Sequence, residues 1–440
     1  MAAVARPRAD RLEGYRDPAQ RIIAEATSTD FAWQRLAELG DTFGPRLSGS
    51  AALSQAIEWT VRELQKDGLE NVRLDPVKVP HWVRGHESAE MTAPRLQRLA
   101  MLGLGNSVGT PAEGLEAEVL VVRSFAELDA AGDRARGRIV FFNVPFTRYG
   151  ETVSYRAEGP SRAAAYGAVA ALVRSVGPPG LRTPHTGALT YSAAVPRIPA
   201  AAVATEDADM LQRMQDRGTP LRVRLRMEAR FLPDADSFNV IAEIRGRERP
   251  DEIVLVGGHL DSWDVGTGAS DDGAGCVVTW EALRLLKRLE LRPRRTVRLV
   301  LFTNEENGLR GALDYRDRYR EQLENHVLML ESDSGVFRPT GFGFSGTDQA
   351  RRIVTDIAAL LKGIDMSTIG PTGGGADIGP SVQAAGIPAM SLDTTGDYFL
   401  IHHTEADTVD KIDPVDMARA AAATAVMAYV IADMPERLPR

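Results

Sequence analysis

A chain of 440 residues with 44% apolar and 25% charged side chains is large enough to need more than one hydrophobic core, and its net charge of −8 argues against a nucleic-acid or anionic-membrane partner. Its single cysteine, Cys276, leaves no intrachain disulfide and no thiolate metal site, so any bound metal must sit on histidine and carboxylate. No run approaches the roughly 18 apolar residues of a membrane span, and residues 1–11 lack the apolar core of a signal peptide, so the expectation is a soluble chain without an address.

In chain order, helical regions are expected over 17–39 and 52–66, the first opening on Asp17 and Pro18 as cap and first helical residue. The turn-rich stretch Phe43-Gly44-Pro45-Arg46-Leu47-Ser48-Gly49-Ser50 lies between them. From Val72 the pattern changes to strands and turns punctuated by Pro76, Pro80, Pro94 and Pro111. Gly103 and Gly105 do not make a dinucleotide loop, because Val108 stands where the third glycine belongs and no capped helix follows. Residues 119–123, 139–143 and 200–204 read as strands, with an alanine-rich helix over 161–166. His185, isolated from any acid cluster, reads as an ordinary loop residue. This β-rich unit closes near Phe231, and strand pattern resumes over 237–244, followed by βα alternation to a last helix over 414–432. The middle of the chain, 76–235, therefore reads as a unit inserted into an α/β domain made of 1–75 and 236–440.

The chemistry-bearing residues fall just after apolar runs. The β-branched run 253–256 suits a buried parallel strand, which puts His259 and Asp261 at its carboxyl end, where open α/β sheets place their ligands. The loop that follows is stiffened by glycines and leads through Asp271 and Asp272 into a helix containing Cys276. Three further clusters follow strand-like runs: Glu305-Glu306 after 297–302, Glu331-Ser332-Asp333 after 327–330, and His402-His403 through Asp407 after 398–401. Two metal ions sharing a bridge need about five side-chain ligands and a separate base, and His259, Asp271, Glu305, Glu306, Asp333 and His403 meet that count. Either of His402 and His403 could reach a metal. Asp264 and Asp272 read as turn and helix N-terminal acids. Gly343-Phe344-Ser345-Gly346 is not a nucleophile elbow, so a serine hydrolase is unsupported.

The stretch from Gly258 to Gly275, with Glu305-Glu306, Asp333, His403-Thr404 and Asp407-Thr408, resembles the co-catalytic zinc aminopeptidases and glutamate carboxypeptidases. The resemblance extends from the Gly44 to Ser50 stretch and Pro80-His81-Trp82 to the last helix. It implies a phosphorylase/aminopeptidase-like mixed sheet flanked by helices, with the inserted unit resembling a protease-associated domain, core at about 115–230. It further implies two Zn²⁺ per chain: His259 and Asp333 would hold one, Glu306 and His403 the other, and Asp271 would bridge them. Glu305 would be the general base, and Asp261 would accept the free ring N–H of His259 and fix its tautomer. A cis peptide would join Asp271 to Asp272. Where many relatives carry a tyrosine before the ligand histidine, this chain has His402, the candidate oxyanion donor, and Asp377 matches a position near the substrate.

Function follows as an expectation: hydrolysis of small peptides, chiefly unblocked dipeptides, by a secreted or periplasmic homodimer. An aminopeptidase acting on longer peptides is the nearest alternative. A single-zinc cyclising transferase and an inactive receptor-like module are the more distant ones, and the complete ligand set argues against both.

Overall fold

The computed structural model describes residues 12–440, so the expectation placed on residues 1–11 lies outside it. The first helical region resolves into two helices, Arg16–Thr27 and Phe31–Phe43, with Asp17 in the first turn rather than at the cap. The third, Ala51–Lys66, starts where the Ser50 side chain accepts the Leu53 N–H, one of the donors that a helix start leaves unpaired. Leu53, Ala56, Ile57, Thr60 and Leu64 share its buried stripe.

The main sheet is eight-stranded and mixed. At one side the long strands Glu70–Val83 and Arg230–Ile244 form an antiparallel ribbon, and the latter pairs antiparallel with Arg295–Phe302. Arg295–Phe302, Arg249–His259, His326–Glu331 and Ala389–Thr394 then run parallel, and Pro339–Ser345 and Thr368–Gly370 complete the far side. Because a parallel sheet is covered on both faces, its strands are apolar on both. Along Arg249–His259, Val254 and Val256 enter the core beneath helices Ala274–Arg288 and Pro414–Asp433, while Ile253 and Leu255 pack on the opposite side with Tyr315, Tyr319 and Ile378.

The last helix, Pro414–Asp433, is capped by Asp413, which accepts from Val415 and Asp416. Contrary to the expectation that no run reaches such a length, it is long and apolar enough to cross a membrane, with a mean hydropathy of 1.4 over its window; 83% of that window is buried inside the fold, as in a core helix. Its alanines 418–425 are covered within the chain, and the helix packs closely on Ala274–Arg288.

A second eight-stranded sheet occupies the middle of the chain. Its centre is Leu115–Val122, Ile139–Phe142, Ala170–Arg174 and Ala200–Val203, all parallel, with Arg222–Met227, Glu87–Ala93 and Gln97–Leu99 on one side and Met101–Gly103 on the other. Separate apolar cores cover its two faces. The ribbon of the main sheet runs past the expected junctions, since Val83 is still paired with Arg230.

One element differs in type. The run 398–401 is a one-turn helix, Tyr398–Ile401, not a strand. Four apolar residues carry no period that separates the two. The strand serving this cluster is Ala389–Thr394 instead.

Candidate metal centre and active-site cleft

The strand Arg249–His259 delivers its histidine through Gly257-Gly258, where no side chain fits: a Cβ on Gly258 would lie 2.1 Å from Asp272 Oδ2. Asp272 uses that carboxylate twice, accepting the His259 N–H at 3.1 Å and the Gly275 N–H at 3.2 Å, so it opens the following helix and fixes the strand end together. The Asp271–Asp272 peptide is cis. Asp407 accepts the N–H groups of Ser270 at 2.7 Å and Asp271 at 3.1 Å, holding the approach to the turn from the opposite side.

His259 Nδ1 donates to the main-chain carbonyl of Asp261 at 2.9 Å, whereas the Asp261 carboxylate is 3.9 Å away. The tautomer is thus set by Asp261, but through its backbone. Its side chain accepts instead from the N–H groups of Glu305 at 3.1 Å and Glu306 at 3.4 Å and from Ser48 Oγ at 3.2 Å, which aims the Glu305-Glu306 turn.

Two groups of donor atoms result. His259 Nε2 lies 3.3 Å from Asp271 Oδ1 and 3.6 Å from Asp333 Oδ1. His403 Nε2 lies 3.2 Å from both Asp271 Oδ2 and Glu306 Oε2. The second oxygen of Glu306 accepts the Trp263 N–H at 3.1 Å. Asp271 therefore turns one oxygen to each group. His402 stacks on His403 at 3.5 Å and also reaches Asp271 Oδ2, at 3.5 Å, but only His403 is also paired with Glu306. Glu305 Oε2 stands 3.9 Å from His259 Nε2.

These spacings suit metal binding. Ligand atoms about 2.0–2.2 Å from a tetrahedral ion lie roughly 3.3–3.5 Å from one another. His259 Nε2, Asp271 Oδ2 and Asp333 Oδ1 are buried without hydrogen-bond partners, a costly condition that a bound cation removes. The electrostatics agree. Burial, opposed by His259 and reinforced by Asp333 and Asp271, pushes the Glu305 carboxyl up to about 8. Burial and the charge of Asp271 raise Glu306 well above the usual carboxyl range. Although burial opposes it, the carboxylates of Asp271 and Asp333 facing its Nε2 push the His259 pKa well above its usual value, because they create a negative potential where a cation would sit. Burial keeps His402 and His403 neutral, as ligands must be.

The centre opens on a cleft of about 380 Å³ lined by Glu305, Asp333, Tyr398, Phe399 and His402 from the main domain and by Tyr149 and Arg156 from the inserted unit. Tyr149 stacks on Phe399 and meets the edge of His402, and its hydroxyl accepts from Arg156 at 2.7 Å. Neither residue was legible in the sequence, since nothing near 149–156 forms a motif. Arg46 was also missed: it is fully buried and donates to the carbonyl of Gly44 in its own turn and to those of Leu260, Thr267 and Gly268 in the loop that follows the first ligand. Its signal was an arginine inside a turn otherwise made of small and apolar residues.

Asp264 lies in a bend, as read from the sequence, and is gripped there by Arg84 of the inserted unit at 2.6 and 2.8 Å. Two sequence readings change. His185 is buried and donates from Nδ1 to the His402 carbonyl at 2.7 Å, so it is not an isolated loop residue. Asp377 is wholly buried with neither carboxylate oxygen paired, its own N–H on Glu331, and Ala376 rather than Asp377 lines the cleft.

The family model described as Peptidase family M28 matches residues 239–428. Carboxypeptidase Q of Mus musculus is 48% identical over 435 residues, covering 98% of this chain and 92% of that protein. Carboxypeptidase Q of Homo sapiens is 50% identical over 410 residues, covering 93% and 87%. A crystal structure of a peptidase M28 precursor from Shewanella amazonensis SB2B superposes with a TM-score of 0.93 at 35% identity, covering 97% of this chain and 98% of that one.

Proposed function

The chain belongs to peptidase family M28, and from that premise we propose that it is a zinc exopeptidase of small peptides, chiefly unblocked dipeptides, with Glu305 as its general base. In this reading His259 and Asp333 hold one Zn²⁺, Glu306 and His403 hold another, and Asp271 is shared. The observation that carries it is the split of Asp271, whose two oxygens face two separate histidine-carboxylate groups. When bound, the zinc pair supplies Lewis acidity, which makes water a nucleophile near neutral pH and polarises the scissile carbonyl.

The protein's own groups do the rest. Glu305 is anchored by its backbone to Asp261 while its side chain, 20% exposed, faces the cleft. It is placed to take a proton from the attacking water and hand it to the leaving amine, a role worth about 10²–10⁴ in rate. His402, held edge-on by Tyr149, is the proposed donor to the oxygen that develops negative charge. The inserted unit, through Tyr149 and Arg156, narrows the cleft to a volume suited to a short peptide. The relatives' name, carboxypeptidase Q, supports recognition of a free carboxylate.

The test is turnover of a dipeptide panel by the zinc-loaded wild type and by Glu305→Gln. The variant is expected to keep its zinc and lose about 10²–10⁴ in kcat; equal rates overturn the proposal. A C-terminally amidated dipeptide should be cleaved far more slowly than the free acid, and equal rates would point to an aminopeptidase acting on longer peptides.

A further inference from the structure

His403 carries its ring on a backbone with φ of 60°, the left-handed region that non-glycine residues occupy at a cost of about 1–2 kcal/mol. Something outside the turn must hold it there. The His402-His403 pair is gripped by a single segment of the inserted unit, more than two hundred positions earlier in the chain. His185 Nδ1 donates to the His402 carbonyl at 2.7 Å, the Thr186 N–H donates to the His403 carbonyl at 2.9 Å, and His403 Nδ1 returns a hydrogen bond to the Thr186 carbonyl at 3.3 Å.

The last of these bonds leaves His403 Nε2 free to face Asp271 and Glu306, since the ring's one proton is spent on Nδ1. The gripping segment is itself tied down. The His185 N–H is held by Ser175 Oγ at 3.0 Å, which in turn donates to the Val203 carbonyl at 3.1 Å within the second sheet. Thr186 Oγ1 donates to the Gly103 carbonyl at 2.7 Å, and Arg156 donates to the Thr186 carbonyl at 3.3 Å. The imidazole of His185 lies so close on Gly177 that a Cβ there would be 2.4 Å from the ring.

We propose that His185 is a positioning residue: by holding the His402 carbonyl it keeps the left-handed turn that aims His403, so the inserted unit completes one of the two metal positions rather than only roofing the cleft. The inference rests on the two-zinc reading above. His259 is positioned by Asp261 and Asp272 from the main domain, and Asp333 follows the main-sheet strand His326–Glu331, so the other position does not depend on His185.

Zinc titration of the metal-free protein by calorimetry tests it. Wild type is expected to bind in two steps, with His403→Ala identifying the step on its own side. His185→Leu, which fills the space without a donor, should weaken that step about 10- to 100-fold and leave the other unchanged. His185→Asn keeps a donor near the position of Nδ1 and should restore it. Should the leucine variant not fold, His185→Gln, whose donor sits farther out, is read the same way. Unchanged binding in the donor-less variant, equal weakening of both steps, or failure of the asparagine variant to restore the step overturns the inference. A wild-type chain that binds one ion alone overturns the two-zinc reading and this inference with it.

Discussion

Arg46→Met removes a buried guanidinium while keeping most of its apolar length. The head group donates to Leu260 at 2.9 Å, Gly44 at 2.9 Å, Thr267 at 2.6 Å and Gly268 at 3.0 Å, and burial depresses its pKa because the charge has no water around it. Four hydrogen bonds from a charged donor, at roughly 1.5–3 kcal/mol each, give about 6–12 kcal/mol gross. Relief of the several kcal/mol spent on burying the guanidinium offsets part of that, leaving a net loss of about 3–5 kcal/mol. Most of the deficit falls on the loop after His259, so zinc affinity should weaken along with stability. Urea denaturation of the metal-free protein followed by tryptophan fluorescence measures the first, and calorimetric zinc titration the second. A loss under about 1 kcal/mol with unchanged zinc binding would refute the view that this arginine organises the loop.

Gly105→Ala should cost about 2–3 kcal/mol, because its Cβ would lie 1.9 Å from the Trp263 ring and force that ring out of the inserted unit's core; urea midpoints check this, and wild-type stability would contradict it. His326, buried between Tyr315 and the Gln322 carbonyl, is depressed by burial and by Arg298 to about 3. Between that value and the usual 6.5 the unfolded chain binds a proton that the folded chain does not, so its contribution is whole above pH 6.5 and is lost as pH falls towards 3. The stability difference between wild type and His326→Asn should therefore shrink by about 2 kcal/mol between pH 8 and pH 5, and a pH-independent difference would count against the assignment. Chelation should abolish hydrolysis and lower the unfolding temperature, with zinc at about a thousand times its Kd restoring about 4 kcal/mol; a chelated protein unchanged in both would remove metal from the account.

The sequence disclosed the part of the site that is local. His259 follows a β-branched run and Glu305-Glu306 follows an apolar one, so strand ends and their acids could be placed from pattern and spacing. It hid whatever depends on distant residues meeting. Arg46, Arg84, Tyr149, Arg156 and His185 lie in turns or short helices with no internal pattern; the role of Arg46 exists only once its turn meets the loop after His259, and those of the other four only once the two sheets face each other. Asp261 shows the finer limit: its place next to a ligand was readable, but whether its carbonyl or its carboxylate took the ring proton was decided by the competing N–H groups of Glu305 and Glu306. Tyr398–Ile401 was too short to declare its type.

The ribbon that joins the two sheets leaves and re-enters the main domain at neighbouring positions, Val83 beside Arg230. The middle unit thus hangs from a two-ply hinge and not from two independent tethers, and a swing must twist both plies together. The salt link from Arg84, the residue after Val83, to Asp264 stiffens the hinge itself, and Trp263 seated against Gly105 adds a contact beyond it. Jaw-like gaping is therefore resisted at several points at once, and Tyr149 stacked on Phe399 ties the two units together again at the cleft lining.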